Sequence, residues 1–292
     1  MSGPPPKSPA KVPPGLHFIA TPIGAARDIT LRALDILAGA DVLAAEDTRT
    51  LRHLMDIHGV ALGSRPLVAY HDHNGEAARP RLLAYLAEGK SVAYASEAGT
   101  PLVADPGFQL GRAAIAAGHP VLAAPGPSAV LAALTVSGLP SDRFLFAGFA
   151  PPAAKARRDW LADLSPVQAT LICYESPNRL ADFLATATEV MGGDRRAVVC
   201  RELTKKFEEV IRGPLTDLAD RFRDRPVKGE IVVLIDRPGE RRSDDDTIRA
   251  ALADALGRMK VKEAASLIAE LHGLPRREVY QMALDLGGAQ DQ

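Results

Sequence analysis

From residue 15 onward, short apolar runs alternate with amphipathic stretches, and this alternation predicts strands and helices in turn. The predicted strands of the first half are Leu16–Ala20, Val42–Ala45, Leu67–Tyr70, Ser91–Ala95 and Val121–Ala124. The predicted helices between and after them are Asp28–Ala38, Thr50–His58, Ala77–Glu88, Gly107–Ala117 and Ser128–Ser137. Strands that alternate with helices favour a mainly parallel sheet with helices on both faces.

A change of composition at Gly148–Pro152 predicts the boundary of a second α/β domain. Its predicted strands are Ala169–Tyr174, Arg196–Cys200, Phe207–Arg212 and Ile231–Ile235, and its predicted helices are Lys155–Leu164 and Asn178–Met191. The connections there are shorter, which favours more antiparallel pairing. The expected organisation is a disordered proline-rich tail at 1–14, α/β domains at 15–149 and 150–240, and a C-terminal helical segment at 241–292. That segment carries predicted helices near Asp245–Leu256, Lys260–Leu271 and Pro275–Leu286.

Composition narrows the possible partners. The net charge is −1, so no global basic field indicates nucleic acid, and RNA binding would need a local patch. Cys173 and Cys200 each lie in an apolar run, which predicts buried thiols in a reducing cytoplasm. No apolar run reaches the roughly 18 residues that would predict a membrane span.

The carboxyl ends of parallel strands are where open α/β sheets bind ligands. Five loops at these predicted ends are rich in small, polar or turn-forming residues: Thr21–Gly24, Glu46–Arg49, His71–Gly75, Ser96–Gly107 and Pro125–Ser128. Because parallel strands place these ends on one edge of the sheet, the loops together predict a site. The glycine spacing excludes a dinucleotide fingerprint, and no phosphate-binding loop or nucleophile elbow is complete.

Each loop also has an ordinary structural interpretation. Single glycines serve turns, Ser128 lies where a helix N-cap is expected, and Glu46–Arg49 could cap a helix. His71 and His73 form an H-x-H pair without a further ligand cluster, so no metal site is predicted.

The loops carry a specific resemblance when they are taken in order. The segments T-P-I-G-x-x-x-D-I-T, A-A-E-D-T-R, H-D-H-N, S-E-A-G-T-P-L-V-A-D-P-G, P-G-P-S-A, Y-E-S-P-N-R, R-E-L-T-K and K-G-E-I-V run from about Leu16 to Asp236. This set resembles the ribosomal RNA small subunit methyltransferase I family of the tetrapyrrole methylase superfamily. The resemblance implies two α/β domains, a small C-terminal helical appendage, and S-adenosylmethionine in the cleft between the domains.

The resemblance also implies an activity and a donor site. The activity is 2′-O-methylation of a cytidine ribose in the decoding region of 16S ribosomal RNA, by a cytoplasmic homodimer. The implied donor-binding residues of the first domain are Pro22, Gly24, Ser96, Glu97, Ala98, Gly99, Thr100, Asp105, Pro106, Gly107, Gly126, Pro127, Ser128 and Ala129. Those of the second domain are Tyr174, Glu175, Gly229 and Glu230.

Two positions depart from the family pattern. Ala25-Ala26 follow T-P-I-G where the family usually has Asn-Leu, and Glu97 stands where it usually has aspartate. Glu97 keeps the charge, but its extra methylene changes where a carboxylate could contact the donor.

Methyl transfer to a ribose hydroxyl needs positioning and a proton acceptor. The candidate catalytic residues are His73 and His71, followed by Glu46 and Lys205. The candidate RNA-binding residues are Lys155, Arg157, Arg158, Arg201 and Lys206. Two other functions stay open from the sequence: methylation of a tetrapyrrole carbon, and a non-catalytic role in ribosome assembly.

Overall fold

The computed structural model describes residues 11–71, 73–103, 107–239 and 245–288. The chain divides into two compact units, one ending at Arg237 and one starting at Pro238. The larger unit contains two five-stranded sheets, and the smaller one consists of helices.

The first sheet is entirely parallel, as the alternation predicts, with strand order β3-β2-β4-β1-β5. Its strands are β1 Gly15–Ile19, β2 Val42–Ala45, β3 Leu67–Ala69, β4 Ser91–Ala95 and β5 Val121–Ala124. Three of these five apolar runs, β1, β2 and β4, are buried along their whole length, as expected for central strands of a sheet covered on both faces. The order places β3 at the edge, separated from β1 by β2 and β4.

Helices cover both faces of this sheet and enclose two apolar clusters. They are α1 Leu31–Gly39, α2 Thr48–Ile57, α3 Gly75–Ala87, α4 Phe108–Ala116 and α5 Ala129–Ser137. Thr30 caps α1, because its hydroxyl accepts a bond from the N–H of Ala33, and Asp47 caps α2 in the same way.

The second sheet is mixed, with order β6-β7-β10-β8-β9, and only the β6–β7 pair is parallel. Its strands are β6 Phe144–Phe149, β7 Thr170–Glu175, β8 Arg196–Arg201, β9 Glu209–Pro214 and β10 Ile231–Ile235. Its helices are α6 Ala154–Leu164, α7 Leu180–Met191 and α8 Leu215–Phe222. The predicted shift towards antiparallel pairing is therefore observed.

The sequence pattern missed β6 and α8. Strand β6 lies at a sheet edge, is only partly buried, and has a register shift beside Gly148, so its apolar pattern is weak. Because β6 pairs with β7, the chain passes from the first sheet to the second before Phe144. The change of composition at Gly148–Pro152 therefore lies after this crossing and not at it. Helix α8 has eight residues, which is too short for a strong periodic signal.

The C-terminal unit contains the three helices expected there: α9 Asp245–Leu256, α10 Val261–His272 and α11 Arg276–Gly288. They enclose a small apolar cluster that includes Leu252, Ala265 and Val279.

Most of the tail that was expected to be disordered, residues 1–10, lies outside the described residues. In its described part Val12 is buried in the core, and Nε2 of His17 lies 2.8 Å from the carbonyl oxygen of Pro13. Among the described residues, no helix has both the length and the apolar character for crossing a bilayer.

Candidate functional site

A cavity of about 650 Å³ lies between strand ends of the first sheet and strand ends of the second sheet. From the first sheet it receives residues that follow β1, β2, β4 and β5. From the second it receives the carboxyl ends of β6 and β7, the loop after β8 and the start of β10. Because β10 is antiparallel to β7 and β8, its beginning meets their ends. Both halves of the larger unit therefore contribute to one concave site, as is usual for small-molecule sites.

The loops after β1 and β4 are joined by main-chain hydrogen bonds. Thr21 and Gly99 exchange two such bonds, each 3.0 Å long. The hydroxyl of Thr21 also donates to the carbonyl of Ser96 at 3.1 Å, and the hydroxyl of Ser96 donates to the carbonyl of Gly99 at 2.7 Å. Gly99 has a φ of +78°, a conformation that glycine adopts without steric cost. These bonds fix the shape of the cavity wall through the backbone.

The loop after β5 is tied to the same wall. The hydroxyl of Thr100 donates to the carbonyl of Pro127 at 2.9 Å. Gly126 packs closely on Ala20, because an added Cβ would lie 3.0 Å from the Ala20 methyl. Ser128 occupies the N-cap position of α5, yet its side chain makes no capping hydrogen bond there. The Ser128 hydroxyl and the first N–H groups of α5 therefore lie at the cavity wall without intrahelical acceptors.

Tyr174 and Glu175 line the cavity from the end of β7. Burial, assisted by the charge of Glu230, raises the pKa of Tyr174 to about 12, so the phenol keeps its proton at neutral pH. Glu175 is buried, and its Oε1 accepts a bond from the Ser176 N–H at 2.7 Å and pairs with Arg179 at 2.6 Å. This ion pair fixes the end of β7 and the turn that follows it.

A cluster of three charged residues is the main electrostatic feature of the second wall. The Lys205 ammonium donates to Glu202 at 2.9 Å and to Glu230 at 3.0 Å. Burial alone would lower the pKa of Lys205, but these two hydrogen bonds raise it above its usual value. The N–H of Glu230 and then the Lys205 ammonium hold the pKa of the Glu202 carboxyl below its usual value. Lys205 and Glu202 are therefore charged at neutral pH.

Backbone geometry shows how tightly this cluster is built. Glu202 and Thr204 have φ values of +52° and +64°, which residues with a side chain rarely adopt. A Cβ on Gly24 would lie 2.5 Å from Cγ of Lys205, and a Cβ on Gly229 would lie 2.5 Å from the Glu202 side chain. The Thr204 hydroxyl accepts the Ala25 N–H at 3.1 Å, so the loop after β8 packs directly on the T-P-I-G turn. Gly24 is needed because the other half of the unit occupies its side-chain space, and Gly229 is needed because Glu202 of its own half does.

Most of the residues that the resemblance assigns to the donor site are brought together. Those that line the cavity are Pro22, Gly24, Glu97, Ala98, Gly99, Thr100, Ser128, Ala129, Tyr174, Glu175, Gly229 and Glu230. Ser96 and Pro127 lie behind the wall and hold it through the bonds given above, while Gly107 is at the start of α4 and does not line it. Asp105 and Pro106 lie outside the described residues.

The four catalytic candidates are divided. Glu46 and Lys205 line the cavity, whereas His71 and His73 do not. The two histidines follow β3, the edge strand, so the strand order places them away from the ends of β1 and β5. Their ring centroids are 6.1 Å apart, and Nδ1 of His71 is buried without a hydrogen-bond partner in the described part of the chain. The structure thus argues against direct contact between either histidine and a reacting group in the cavity.

The five RNA-contact candidates differ in accessibility. Arg157 is buried, and it donates to the Thr186 hydroxyl at 3.2 Å and to the Pro152 carbonyl at 3.4 Å. This burial argues against an RNA contact by Arg157, because its guanidinium holds α6 against α7. Arg201 is also engaged, since it pairs with Glu209 at 3.2 Å.

The remaining three basic candidates are exposed. Lys155 pairs with Asp159 at 2.6 Å, Arg158 pairs with Glu189, and the Lys206 ammonium lies 5.5 Å from the ring centroid of Phe207. Ion pairs at such exposed positions are weak, so these side chains can exchange partners for a phosphate.

Sequence reasoning missed several cavity residues. They are Ile23, Thr50, Val103, Phe149, Ser176, Pro177, Leu203, Ile231 and Val232. Most are apolar residues whose ordinary interpretation is core packing, and only the tertiary contact between the two sheets puts them at a site. Glu202 was missed as well, although it directly precedes the leucine of R-E-L-T-K. In the described ranges, no group of three or more histidine, cysteine, aspartate or glutamate side chains could hold a metal ion.

Two family models match the chain. The model described as tetrapyrrole (corrin/porphyrin) methylases matches residues 15–219, and the model described as the RsmI C-terminal HTH domain matches residues 242–287. One match lies within each of the two compact units of the chain.

Curated relatives extend over nearly the whole chain. The ribosomal RNA small subunit methyltransferase I of Mesorhizobium japonicum is 49% identical over 276 residues, which cover 94% of this chain and 92% of the relative. The protein of the same name from Vibrio cholerae is 41% identical over 93% of this chain and 95% of the relative. That from Escherichia coli O157:H7 is 40% identical over 94% of this chain and 96% of the relative.

Solved structures share the fold at low sequence identity. A cobalt precorrin-4 methyltransferase is 19% identical with a TM-score of 0.58, over 76% of this chain and 94% of that chain. The uroporphyrin-III C-methyl transferase of Thermus thermophilus, complexed with S-adenyl homocysteine, is 18% identical with a TM-score of 0.53, over 75% of this chain and 96% of that chain. The match to the tetrapyrrole methylase model and the identity to the curated relatives agree with the motifs that line the cavity. The chain belongs to the ribosomal RNA small subunit methyltransferase I family, within the tetrapyrrole methylases.

Proposed function

We propose that this protein uses S-adenosylmethionine to methylate the ribose 2′-hydroxyl of a cytidine in the decoding region of 16S ribosomal RNA. The observation that carries the proposal is that most of the motifs shared with the family, though not H-D-H-N, contribute to the two walls of one cavity. The names of the curated relatives, which are 39–49% identical to this chain, support ribosomal RNA of the small subunit as the substrate.

The chemistry of the cavity fits this donor. Its volume of about 650 Å³ falls within the usual range of roughly 300–1,000 Å³ for small-molecule sites. The Ser128 hydroxyl and the N-terminal N–H groups of α5 suit the donor carboxylate. The carboxylates of Glu97 and Glu230 suit its cationic groups, and apolar surface at Val103 and Leu203 suits its adenine. The donor supplies an electrophilic methyl group on a sulfonium.

The protein contributes positioning and charge to the transfer. Lys205 is held as an ammonium by two carboxylates, so it is not available to accept a proton at neutral pH. We assign it the role of a fixed cation that stabilises negative charge on the attacking hydroxyl oxygen. Glu46, the other catalytic candidate in the cavity, is the residue that we propose accepts the hydroxyl proton.

The remaining expectations belong to the same proposal. Exposed Lys155, Arg158 and Lys206 would contact the phosphate backbone of a small-subunit particle. The protein would act in the cytoplasm as a homodimer, which analytical ultracentrifugation tests. Methylation of a tetrapyrrole carbon is not favoured, because the solved tetrapyrrole enzymes are under 25% identical and share the fold alone.

A direct assay tests the proposal. Small ribosomal subunits from cells that lack this gene are incubated with the full-length protein and methyl-labelled S-adenosylmethionine, and ribose methylation is mapped by mass spectrometry of RNA fragments. We expect one methylated cytidine in the 16S RNA, at the position that is methylated in cells with the gene. A parallel reaction contains a tetrapyrrole acceptor in place of the subunits. Label in that acceptor and none in RNA would establish the alternative. Absence of label in both, with normal donor binding by calorimetry, would indicate a non-catalytic role.

A further inference from the structure

One aromatic side chain combines two properties that no other large apolar residue of the described chain shares. Phe149 lines the cavity, and 55% of its surface is exposed. None of the other large hydrophobic residues exposed in the described part of the chain is among the residues that line the cavity. A single exposed apolar residue is common on protein surfaces, but an exposed ring in the wall of a ligand site is a candidate contact.

The ring of Phe149 is held in place from one side. It meets Tyr174 edge to face at a centroid distance of 5.4 Å, and Tyr174 meets Phe146 in the same manner at 4.8 Å. Tyr174 itself lies at the end of β7, where the Glu175–Arg179 ion pair fixes the backbone. The row of three rings therefore orients Phe149 while more than half of its surface stays open.

The proposed acceptor explains why such a ring is useful. A ribose hydroxyl can reach the interior of a concave site only if its nucleotide leaves the surrounding base stack, as enzymes that modify nucleotides in structured nucleic acids require. Unstacked bases are bound on aromatic faces in RNA recognition. Replacement of one such aromatic residue typically weakens binding roughly 5- to 150-fold per base.

We propose that Phe149 is the stacking platform for the unstacked base of the acceptor nucleotide, a role that rests on the RNA methylation proposed above. The exposure of the ring favours the acceptor over the donor. Small ligands are typically 70–90% buried in their sites, and the buried lining residues, such as Gly99, Ile231 and Val232, belong to other segments of the wall. An RNA that enters from solvent meets the exposed part of the wall first.

The chain offers a matched control for the test. Phe144 begins the same strand, is 43% exposed and does not line the cavity. Phe149→Leu removes the aromatic face and keeps an apolar side chain, whereas Phe149→Tyr keeps the ring. Phe144→Leu is the control, because it replaces phenylalanine by leucine at the other end of β6. Three quantities are measured for each full-length variant: S-adenosylhomocysteine affinity by calorimetry, and KM and kcat for methylation of small ribosomal subunits.

We expect Phe149→Leu to raise the KM for small subunits about 5-fold or more and to leave S-adenosylhomocysteine affinity within twofold of wild type. Phe149→Tyr should restore KM, and Phe144→Leu should match wild type in all three quantities. A loss of S-adenosylhomocysteine affinity with unchanged KM for the subunits would assign the ring to the donor and overturn the inference. Equal effects of the two leucine variants, or no effect of Phe149→Leu, would also overturn it. If wild-type protein labels no RNA, the proposed function fails; if it labels RNA and Phe149→Leu behaves as wild type, only the stacking role fails.

Discussion

The two walls of the cavity differ in the kinds of residue that form them. The wall from the first sheet consists largely of small residues and main chain, with Gly24, Gly99 and Ala129 as examples. The wall from the second sheet presents charged and aromatic side chains, among them Lys205, Glu230 and Tyr174. Backbone in tight, proline- and glycine-shaped turns allows close approach to a small ligand, whereas long side chains supply charge and contact with a large substrate. We infer that the first wall shapes the donor site and that the second supplies most of the chemistry and the acceptor contacts.

The largest effect should come from removing the fixed cation of the second wall. Lys205→Met keeps the apolar stem that packs on Gly24 but leaves Glu202 and Glu230 without their shared ammonium. We expect the single-turnover rate of methylation to fall about 10²–10³-fold, the usual effect of deleting one group that stabilises developing charge.

Lys206→Met, one residue further along the same loop and exposed, is the matched control for Lys205→Met. Its ammonium contacts the Phe207 ring and does not line the cavity. With enzyme in saturating excess over subunits, where a weakened phosphate contact does not limit the rate, its single-turnover rate should therefore stay within a fewfold of wild type. Similar rates for the two variants would show that the cluster is structural and would end the division of roles between the walls.

Glu202→Gln should have the next largest effect, and this effect should depend on pH. The amide keeps the size of the side chain but loses the charge that accepts from Lys205 and from the Glu230 N–H, so we expect about 1.5–3 kcal/mol of lost stability at pH 7. Because the folded pKa of Glu202 is lowered, its stabilisation is present above the unfolded value of about 4.3 and is lost as pH falls through the folded value.

Urea denaturation at several pH values tests the Glu202 prediction. The difference in unfolding free energy between wild type and Glu202→Gln should be constant above about pH 5 and should shrink below about pH 4. A difference that stays constant down to pH 3 would mean that the carboxylate charge contributes nothing in the folded state.

A smaller effect is expected in the first wall, where Ser128 and Thr30 form a matched pair of N-cap positions. Thr30 caps α1 through its hydroxyl, whereas the Ser128 hydroxyl makes no cap bond. Thr30→Ala should therefore lower stability by about 1 kcal/mol, and Ser128→Ala should change it by less than about 0.5 kcal/mol. Ser128→Ala should instead weaken S-adenosylmethionine binding about tenfold or more, in line with one lost hydrogen bond to a charged group. Chemical denaturation and calorimetry separate the two quantities, and an equal loss of stability in both variants would make Ser128 an ordinary cap.

The last comparison concerns two adjacent arginines of α6, and the smallest expected effect is that of Arg158. Arg157 is buried and bonded to Thr186, so Arg157→Ala should lower stability by about 1–3 kcal/mol. Arg158 is exposed and pairs only with Glu189 among the contacts described, so Arg158→Ala should leave stability within about 0.5 kcal/mol. Arg158→Ala should weaken subunit binding slightly. It should also reduce the slope of log binding constant against log salt concentration by about one, as expected for the loss of one phosphate contact. Filter binding over a range of salt concentrations checks this, and an unchanged slope would remove Arg158 from the RNA surface.

The sequence by itself determined the order of strands and helices along the chain and the motifs that meet at the cavity. Strand β10 and helix α9 have the bounds that were predicted, because apolar periodicity is a local property that the residues of one segment determine. Turn residues were equally readable: Gly24 and Gly99 lie in the cavity wall where the loops of the first sheet were expected to converge.

Only the tertiary structure decided which of these loops meet and which side chains are buried. The strand order puts β3 at the edge, and this removes His71 and His73 from the cavity although their loop follows a strand like the others. Packing of the loop after β8 onto Gly24 makes Lys205 a bound ammonium, and packing of α6 on α7 buries Arg157. Strand order and burial depend on contacts between residues far apart in the chain, and a local pattern of apolar and polar positions carries no information about those pairings.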